Sequence, residues 1–211
     1  MLNTLVLACA LLAAPEPPPA HWVDGVPDVM QMNNYSCGVA CTQAIAQRYG
    51  HWGYQDEWAK ELGTTEADGT HPLKIVNVLR RIGLETSLRE GLSLDDLKGM
   101  VDRGESVIVD FQAWAGDARG PIQARGHTGR PHDYATEWES GHYCILVGYD
   151  KDRLYLEDPS LLGTIGTLSP DDFVARWHDY ENENGQRRKY VHAAIVVTGA
   201  AHPPPRYTPI E

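Results

Sequence analysis

The chain has 211 residues, 42% hydrophobic and 22% charged, which is enough to bury one full core, so one domain with tails is the simplest count. The formal net charge is -11 at pH 7. That leaves no basic surplus to neutralise phosphates and speaks against nucleic acids and anionic lipid surfaces as partners. In chain order, Met1 to Ala14 is an apolar stretch too short to cross a bilayer as a helix, so no integral membrane segment is expected. It has the apolar core and small-residue ending of a secretory signal, although a basic start is missing and Pro15 is a poor residue to follow a cut. Residues 1–20 are therefore read as a signal peptide with a Pro-rich linker, and the protein as secreted or periplasmic, or cytoplasmic if that signal does not function. A domain over 21–200 and a Pro-rich tail over 201–211 complete the division.

Within the domain, helices are predicted over Cys37–Tyr49, stopped by Gly50, over Tyr54–Leu62, ended near Gly63, and over Pro72–Ile82, with Thr70 or His71 near its cap. A short strand follows at Thr86–Arg89, then a helix capped by Ser93 and running to Asp102. Ser106–Gln112 reads as a strand with Val-Ile-Val in its middle, and Ala113–Ser140 as a long Gly-rich loop. His142–Tyr149 and Leu154–Asp158 are strands joined by the polar turn Asp150-Lys151-Asp152, tight enough to force antiparallel pairing. A short strand near Thr164–Thr167, a Ser169-capped helix to Trp177 and a closing strand Tyr190–Val197 end the domain. Helices ahead of an antiparallel sheet define an α+β fold.

Two places carry chemistry. Cys37 opens the first helix, where unpaired backbone N–H groups and the helix dipole favour a thiolate, the nucleophilic form. Gln31, six residues upstream, could donate its amide to a developing oxyanion. The second place is His142 at the start of a buried strand and Asp158 at the end of the next. If the turn centres on Lys151, His142 lies opposite Ser160 and Asp158 is its diagonal neighbour on the same face, within reach of the imidazole. One step of register would put the two on opposite faces, so this pairing predicts a loop of odd length.

The segments Pro27-Asp-Val-Met-Gln31 with Tyr35-Ser-Cys37-Gly38, Gly141-His142-Tyr143, Glu157-Asp158-Pro159, and Phe173 through Arg176-Trp177-His178-Asp179 come in order between Pro27 and Val197. In them the chain resembles the papain-like bacteriocin-processing cysteine peptidases, which cleave double-glycine leader peptides, and especially their stand-alone relatives. The resemblance implies a papain-like fold, with the nucleophile helix packed on the sheet. It also implies a nucleophile at Cys37, a base at His142, an orienting acid at Asp158 and an oxyanion-hole amide at Gln31. Leader-processing members are often fused to transporter and ATPase segments; neither is expected here, so the double-glycine substrate is not carried over.

Each residue also has a plainer reading. A free cysteine usually packs as a small hydrophobe, which is how Cys41 and Cys144 are read, and no structural disulfide is expected. Asp-Pro often only starts a turn, and an amide in an Asn-rich turn needs no function. Gly141 is read as leaving room for substrate. Asp110 and Gln112 are candidates to face the cleft. The loop Arg125–Asp133 is read as a solvated, substrate-facing segment, since it lacks the two-histidine helical spacing of zinc proteases. Arg176–Asp179 is read as a helix end anchored by Trp177, with His178 near the negative end of the helix dipole. The sequence thus points to a cysteine peptidase acting on peptide or protein substrates, with no metal or organic cofactor implied. The alternatives are an acyltransferase or transglutaminase-like enzyme on the same triad, and a non-catalytic peptide-binding module of the same fold.

Overall fold

The computed structural model describes residues 21–114, 133–183 and 185–203, with Pro19, Pro205, Pro209 and Ile210 besides. The signal-like N-terminus and residues 125–132 of the histidine-bearing loop lie outside them. The elements are β1 (His21–Trp22), α1 (Cys37–Arg48), α2 (Gln55–Leu62), α3 (Pro72–Arg81), β2 (Glu85–Arg89), α4 (Leu94–Asp102) and β3 (Ser106–Gln112). There follow β4 (Gly141–Tyr149), β5 (Leu154–Glu157), β6 (Gly166–Leu168), α5 (Pro170–Arg176), β7 (His178–Glu183), β8 (Gln186–Val191) and β9 (Ala194–Thr198). The main sheet runs β2-β9-β3-β4-β5-β6, with β1 beside the far end of β4 and every pairing antiparallel. β7 and β8 form a separate hairpin.

Side chains of a strand alternate between faces, and here both faces are covered. Tyr143, Ile145 and Val147 of β4 pack with Val39, Ile45, Trp58, Leu62, Ile75 and Leu79 of α1, α2 and α3. Cys144 and Leu146 pack the other way, with Leu97 and Met100 of α4 and Phe173 of α5. Double coverage is why β3 and the body of β4 read as unbroken apolar runs rather than alternating ones. The caps follow local chemistry. Ser93 Oγ accepts from Asp96 N (3.2 Å) while Asp96 Oδ2 accepts from Ser93 N (2.8 Å), and Ser169 Oγ accepts from Asp172 N (3.2 Å). Of the two residues proposed for α3, His71 is the cap, its Nδ1 accepting from Leu73 N at 3.1 Å.

Two expectations are corrected. Tyr190–Val197 is not one strand. It breaks at His192, which has φ 51°, so that β8 leaves the sheet and only β9 enters it, between β2 and β3. Trp177 holds that break: its indole donates to Ala193 O (2.8 Å), its carbonyl accepts from His192 N (3.1 Å), and its ring stacks on His192. An apolar run carries no mark of such a pivot, because the partner lies sixteen residues away. The second correction is the loop between β4 and β5. Tyr149 pairs with Leu154, leaving an even loop of four residues, Asp150 to Arg153. A bulge between Leu146 and Gly148 then shifts the pairing by one, to Leu146 with Leu156 and Ile145 with Glu157. The bulge restores the register that an odd loop was expected to give. It occurs where β1 crosses: a Cβ on Gly148 would lie 2.5 Å from the Trp22 ring.

Candidate active site at the end of the central strands

His142 and Asp158 meet as the register requires. His142 Nε2 lies 2.7 Å from Asp158 Oδ1, with 6% and 4% of the two residues exposed. Asp158 also accepts from Ser160 N (2.8 Å) on Oδ1 and from the Trp114 indole N–H (3.1 Å) on Oδ2. Burial pushes its carboxyl up, but the imidazolium charge and these donors outweigh that and hold it below the ordinary range. Burial also disfavours a charged imidazole at His142; the Asp158 charge overrides it, and the pKa rises well above normal. With Nε2 committed to Asp158, Nδ1 is the other ring nitrogen, and the Cys144 thiol is a further hydrogen-bond partner of the ring.

Cys37 stands at the first position of α1. Ser36, the N-cap, gives the helix no side-chain cap, because its hydroxyl accepts from Asn33 N (3.1 Å), and no acid sits in the first turn. The opening N–H groups therefore keep their positive field. Gly38 lets the helix close on its neighbours: a Cβ there would lie 2.8 Å from Thr70 and 3.1 Å from the Tyr143 ring. Cys37 is half-buried and lines a groove of about 310 Å³ that also holds Gly141 and Tyr143, the residues flanking His142. No hydrogen bond joins Cys37 to His142; the sulfur is near enough to Cys144, beside His142, for its charge to disfavour a second thiolate there. Gln31 lies against the Asp158 turn. Its backbone N donates to Pro159 O (2.9 Å), its Oε1 accepts from Ser160 Oγ (3.1 Å), and its Nε2 donates to Asn33 O (2.6 Å). His142 and Asp158 are in contact and Gln31 is linked to their turn, whereas Cys37 lines the groove that also holds Gly141 and Tyr143, on either side of His142.

Three further residues matter. Trp114 sits at φ 57°, uncommon for an aromatic side chain, in the conformation that brings its indole to Asp158. Nothing local in Ala113-Trp114 signals this. Asp179 fills the space that Gly141 was expected to leave for substrate: a Cβ at Gly141 would lie 1.9 Å from Asp179 Oδ2. Gln112 does belong to this end. It is buried, donates to Asp179 Oδ1 (3.0 Å) and to His178 O (2.9 Å), and accepts from Ser140 N (2.8 Å). His178 directly follows the C-cap of α5, opens β7, and its Nε2 meets Glu137 O (2.8 Å).

Cys37, Cys41 and Cys144 are all free thiols. Cys41 is buried and directs its Sγ to Tyr143 O (3.4 Å). Cys144 is more than a packing residue. With His142 and Asp158 it brings three possible metal-ligand atoms within 4.8 Å of one another. Metal ligation would need a Cys144 thiolate and the loss of the 2.7 Å His142–Asp158 bond, whereas burial and the Asp158 charge push that thiol far up.

The family model of the Peptidase_C39 like family matches residues 23–184, and the chain belongs to that family. The fold agrees. A C39-like peptidase from Bacillus anthracis superposes over 86% of this chain and 98% of its own, with a TM-score of 0.59 and 16% identity. A double-glycine-motif protease from an AMS/PCAT transporter, solved in complex with a leader peptide, does so over 85% and 96%, with a TM-score of 0.52 and 16% identity. In sequence the chain is 27% identical over 150 residues to the transport/processing ATP-binding protein ComA of Streptococcus pneumoniae. That alignment takes in 70% of this chain and only 17% of ComA. Family and fold together support a cysteine-peptidase-type hydrolase. Among the described residues, no helix is long and apolar enough to cross a membrane.

Proposed function

We propose that the protein is a cysteine peptidase in which Cys37 is the nucleophile, His142 the acid and base, Asp158 the orienting carboxylate and Gln31 an oxyanion donor. The His142–Asp158 bond at 2.7 Å, together with a cysteine at the uncapped start of α1, supports the reading. Asp158 fixes Nε2, which leaves Nδ1 as the nitrogen to hold the proton of Cys37. The Cys37 thiolate attacks the scissile carbonyl carbon. The negative charge that develops on oxygen is met by the Cys37 backbone N–H and, once it turns from Asn33 O, by the Gln31 amide. Each such donor is typically worth about 3 kcal/mol of barrier. His142 gives its proton to the leaving amine, then takes one from the water that releases the acyl group. Peptides are the substrate class this chemistry suits, as the leader peptide bound to the transporter-derived structural neighbour illustrates.

Thiol labelling with iodoacetamide near neutral pH tests the assignment. Cys37 is expected to react well ahead of the buried Cys41 and Cys144, and His142→Ala to slow that reaction. Equal labelling of all three thiols, or a rate indifferent to His142, would overturn the triad. Turnover on a peptide library, lost in Cys37→Ala, separates an enzyme from a peptide-binding module. Products formed with added amines separate acyl transfer from hydrolysis.

A further inference from the structure

The groove beside Cys37 is walled by acids. Glu66, Asp68, Glu139, Asp179 and Glu181 line it, and among its described residues there is no lysine or arginine. The hairpin β7–β8 sorts its charges by face. Asp179, Glu181 and Glu183 alternate onto one side, while Tyr180 takes the other with Arg187 and Lys189. Arg187 pairs with Glu139 (2.9 Å) and lies 4.1 Å from the Tyr180 ring centre, and Lys189 lies 4.2 Å from that of Trp138, so both are spent on the far face. Arg188 is the strand partner of Glu181, yet its guanidinium reaches Glu90 (2.7 Å) and Glu183 (3.5 Å) instead. His71 likewise goes to Glu183 (3.2 Å). Asp110, Asp179 and Glu181 are left without a cation among the described residues; burial first and the charge of a neighbouring acid second push all three carboxyls up, Asp179 to about 6 against the pull of its hydrogen bonds with Tyr180, Gln112 and Asp110, and Glu181 to about 8.

A second observation points the same way. Tyr143 lines this groove with 6% of its surface exposed, and its hydroxyl has no hydrogen-bond partner. Asp110 Oδ1 nearby is unpartnered too, and the two face each other without closing a well-formed bond. The charges acting on that hydroxyl are those of Asp110, Glu181, Asp179 and Cys37, so it stands among the acids at the groove and next to the nucleophile. Buried polar atoms are ordinarily satisfied, and an orphan in a native structure calls for a partner. The unpartnered Asp110 Oδ1 and Tyr143 hydroxyl, and the Glu181 carboxyl that no cation meets among the described residues, would each be satisfied by a donor bearing positive charge.

We infer that the groove lined by Cys37, Tyr143, Asp68, Asp179 and Glu181 is a subsite for a cationic side chain of the substrate, a lysine or arginine beside the scissile bond. The inference rests on the peptidase reading for the word substrate, and on the groove alone for the cation. A guanidinium or ammonium entering here would give Tyr143 and the acids their missing partner and relieve the repulsion among them. The aromatic wall at Tyr35 suits the aliphatic stem.

Matched peptides test it, with lysine exchanged for acetyl-lysine and arginine for citrulline, one position at a time on either side of the cut. At one position the charged peptide should show kcat/KM about tenfold above its neutral isostere. That ratio should fall on raising NaCl from about 50 to 500 mM, and should shrink at least several-fold in Glu181→Gln. Binding of the same pairs to Cys37→Ala, followed by calorimetry, separates the two claims. Charge-dependent binding without turnover by the wild-type chain would overturn the peptidase and keep the subsite. Turnover with equal rates for charged and neutral peptides at every position would overturn the subsite and keep the peptidase. Should Glu181→Gln fold poorly, the salt dependence of the wild-type ratio decides, and a ratio indifferent to salt rejects the inference.

Discussion

A buried acid and a half-buried group of acids share one end of this sheet, and they are held in opposite states. Asp158 is buried, yet it stays ionised, because an imidazolium, a backbone N–H and an indole N–H all point at it. Asp110, Asp179 and Glu181 hold their protons far more tightly. Asp179 has hydrogen bonds with the Tyr180 backbone N–H, the Gln112 amide and Asp110, but no lysine, arginine or histidine pairs with the three among the described residues, and each feels the charge of a neighbouring acid. Burial raises the carboxyl pKa in both places; the partners decide whether the charge survives. A carboxylate that has its cation inside the fold is suited to orient a base. A group of acids without one is suited to accept a cation from outside.

The sharpest way to break this comparison is to remove the partner that keeps Asp158 and His142 charged. Taking away one member of a buried pair leaves the other uncompensated, so Asp158→Ala should lose about 3–5 kcal/mol of stability in urea titrations. It should also lower kcat by roughly 10²–10⁴. The pH dependence identifies the cause. Asp158, with a depressed pKa, contributes stability that is present above about pH 4 and lost as pH falls through its folded value. His142, with a raised pKa, contributes stability that is full below about pH 6.5 and lost as pH rises through its folded value. The pair is therefore fully stabilising between about pH 4 and 6.5, and the variant should lose that plateau.

Gly141→Ala should act on the second set by steric force. The new Cβ must displace the Asp179 carboxylate and with it the Gln112 bond, at a cost of about 1–3 kcal/mol measured by thermal or chemical denaturation. A variant as stable as wild type would mean that Asp179 is not held against the strand. The smallest effect is expected at Glu181. Its carboxyl binds a proton more tightly folded than unfolded, so stability falls as pH rises from about 4.5 through about 8. Glu181→Gln should leave stability near pH 5 almost unchanged and raise it at pH 8 by about 1 kcal/mol, since the partly exposed group is screened. A loss of stability at pH 8 would show that Glu181 has a cation inside the fold after all.

Much of the molecule was legible one residue after another. Helix starts and stops at Ser93, Pro72 and Gly63 depend on chemistry within a turn, and so does the placing of Cys37 at an N-terminus. The His142–Asp158 pairing was reached from the right register by the wrong route. An odd loop was expected, and an even loop plus a bulge produces the same alignment, because the bulge is set by Trp22 from a strand more than a hundred residues away. Gly141 was correctly singled out and wrongly explained: its missing side chain admits Asp179, not substrate. Trp114 and the hairpin β7–β8 were not seen at all, since the first depends on a distant acceptor and the second carries a polar sequence with no sheet-like alternation.

The sequence by itself determined the helices, the central strands β3 to β5, the α+β class and the identity of the four chemical candidates, because caps, apolar runs and residue types act over a few neighbours. Only the tertiary structure decided which acid is held charged and which is not. Hydrogen bonds and Coulomb forces operate across space, between residues such as Gln112 and Asp179 that are 67 positions apart in the chain, and no local pattern records them.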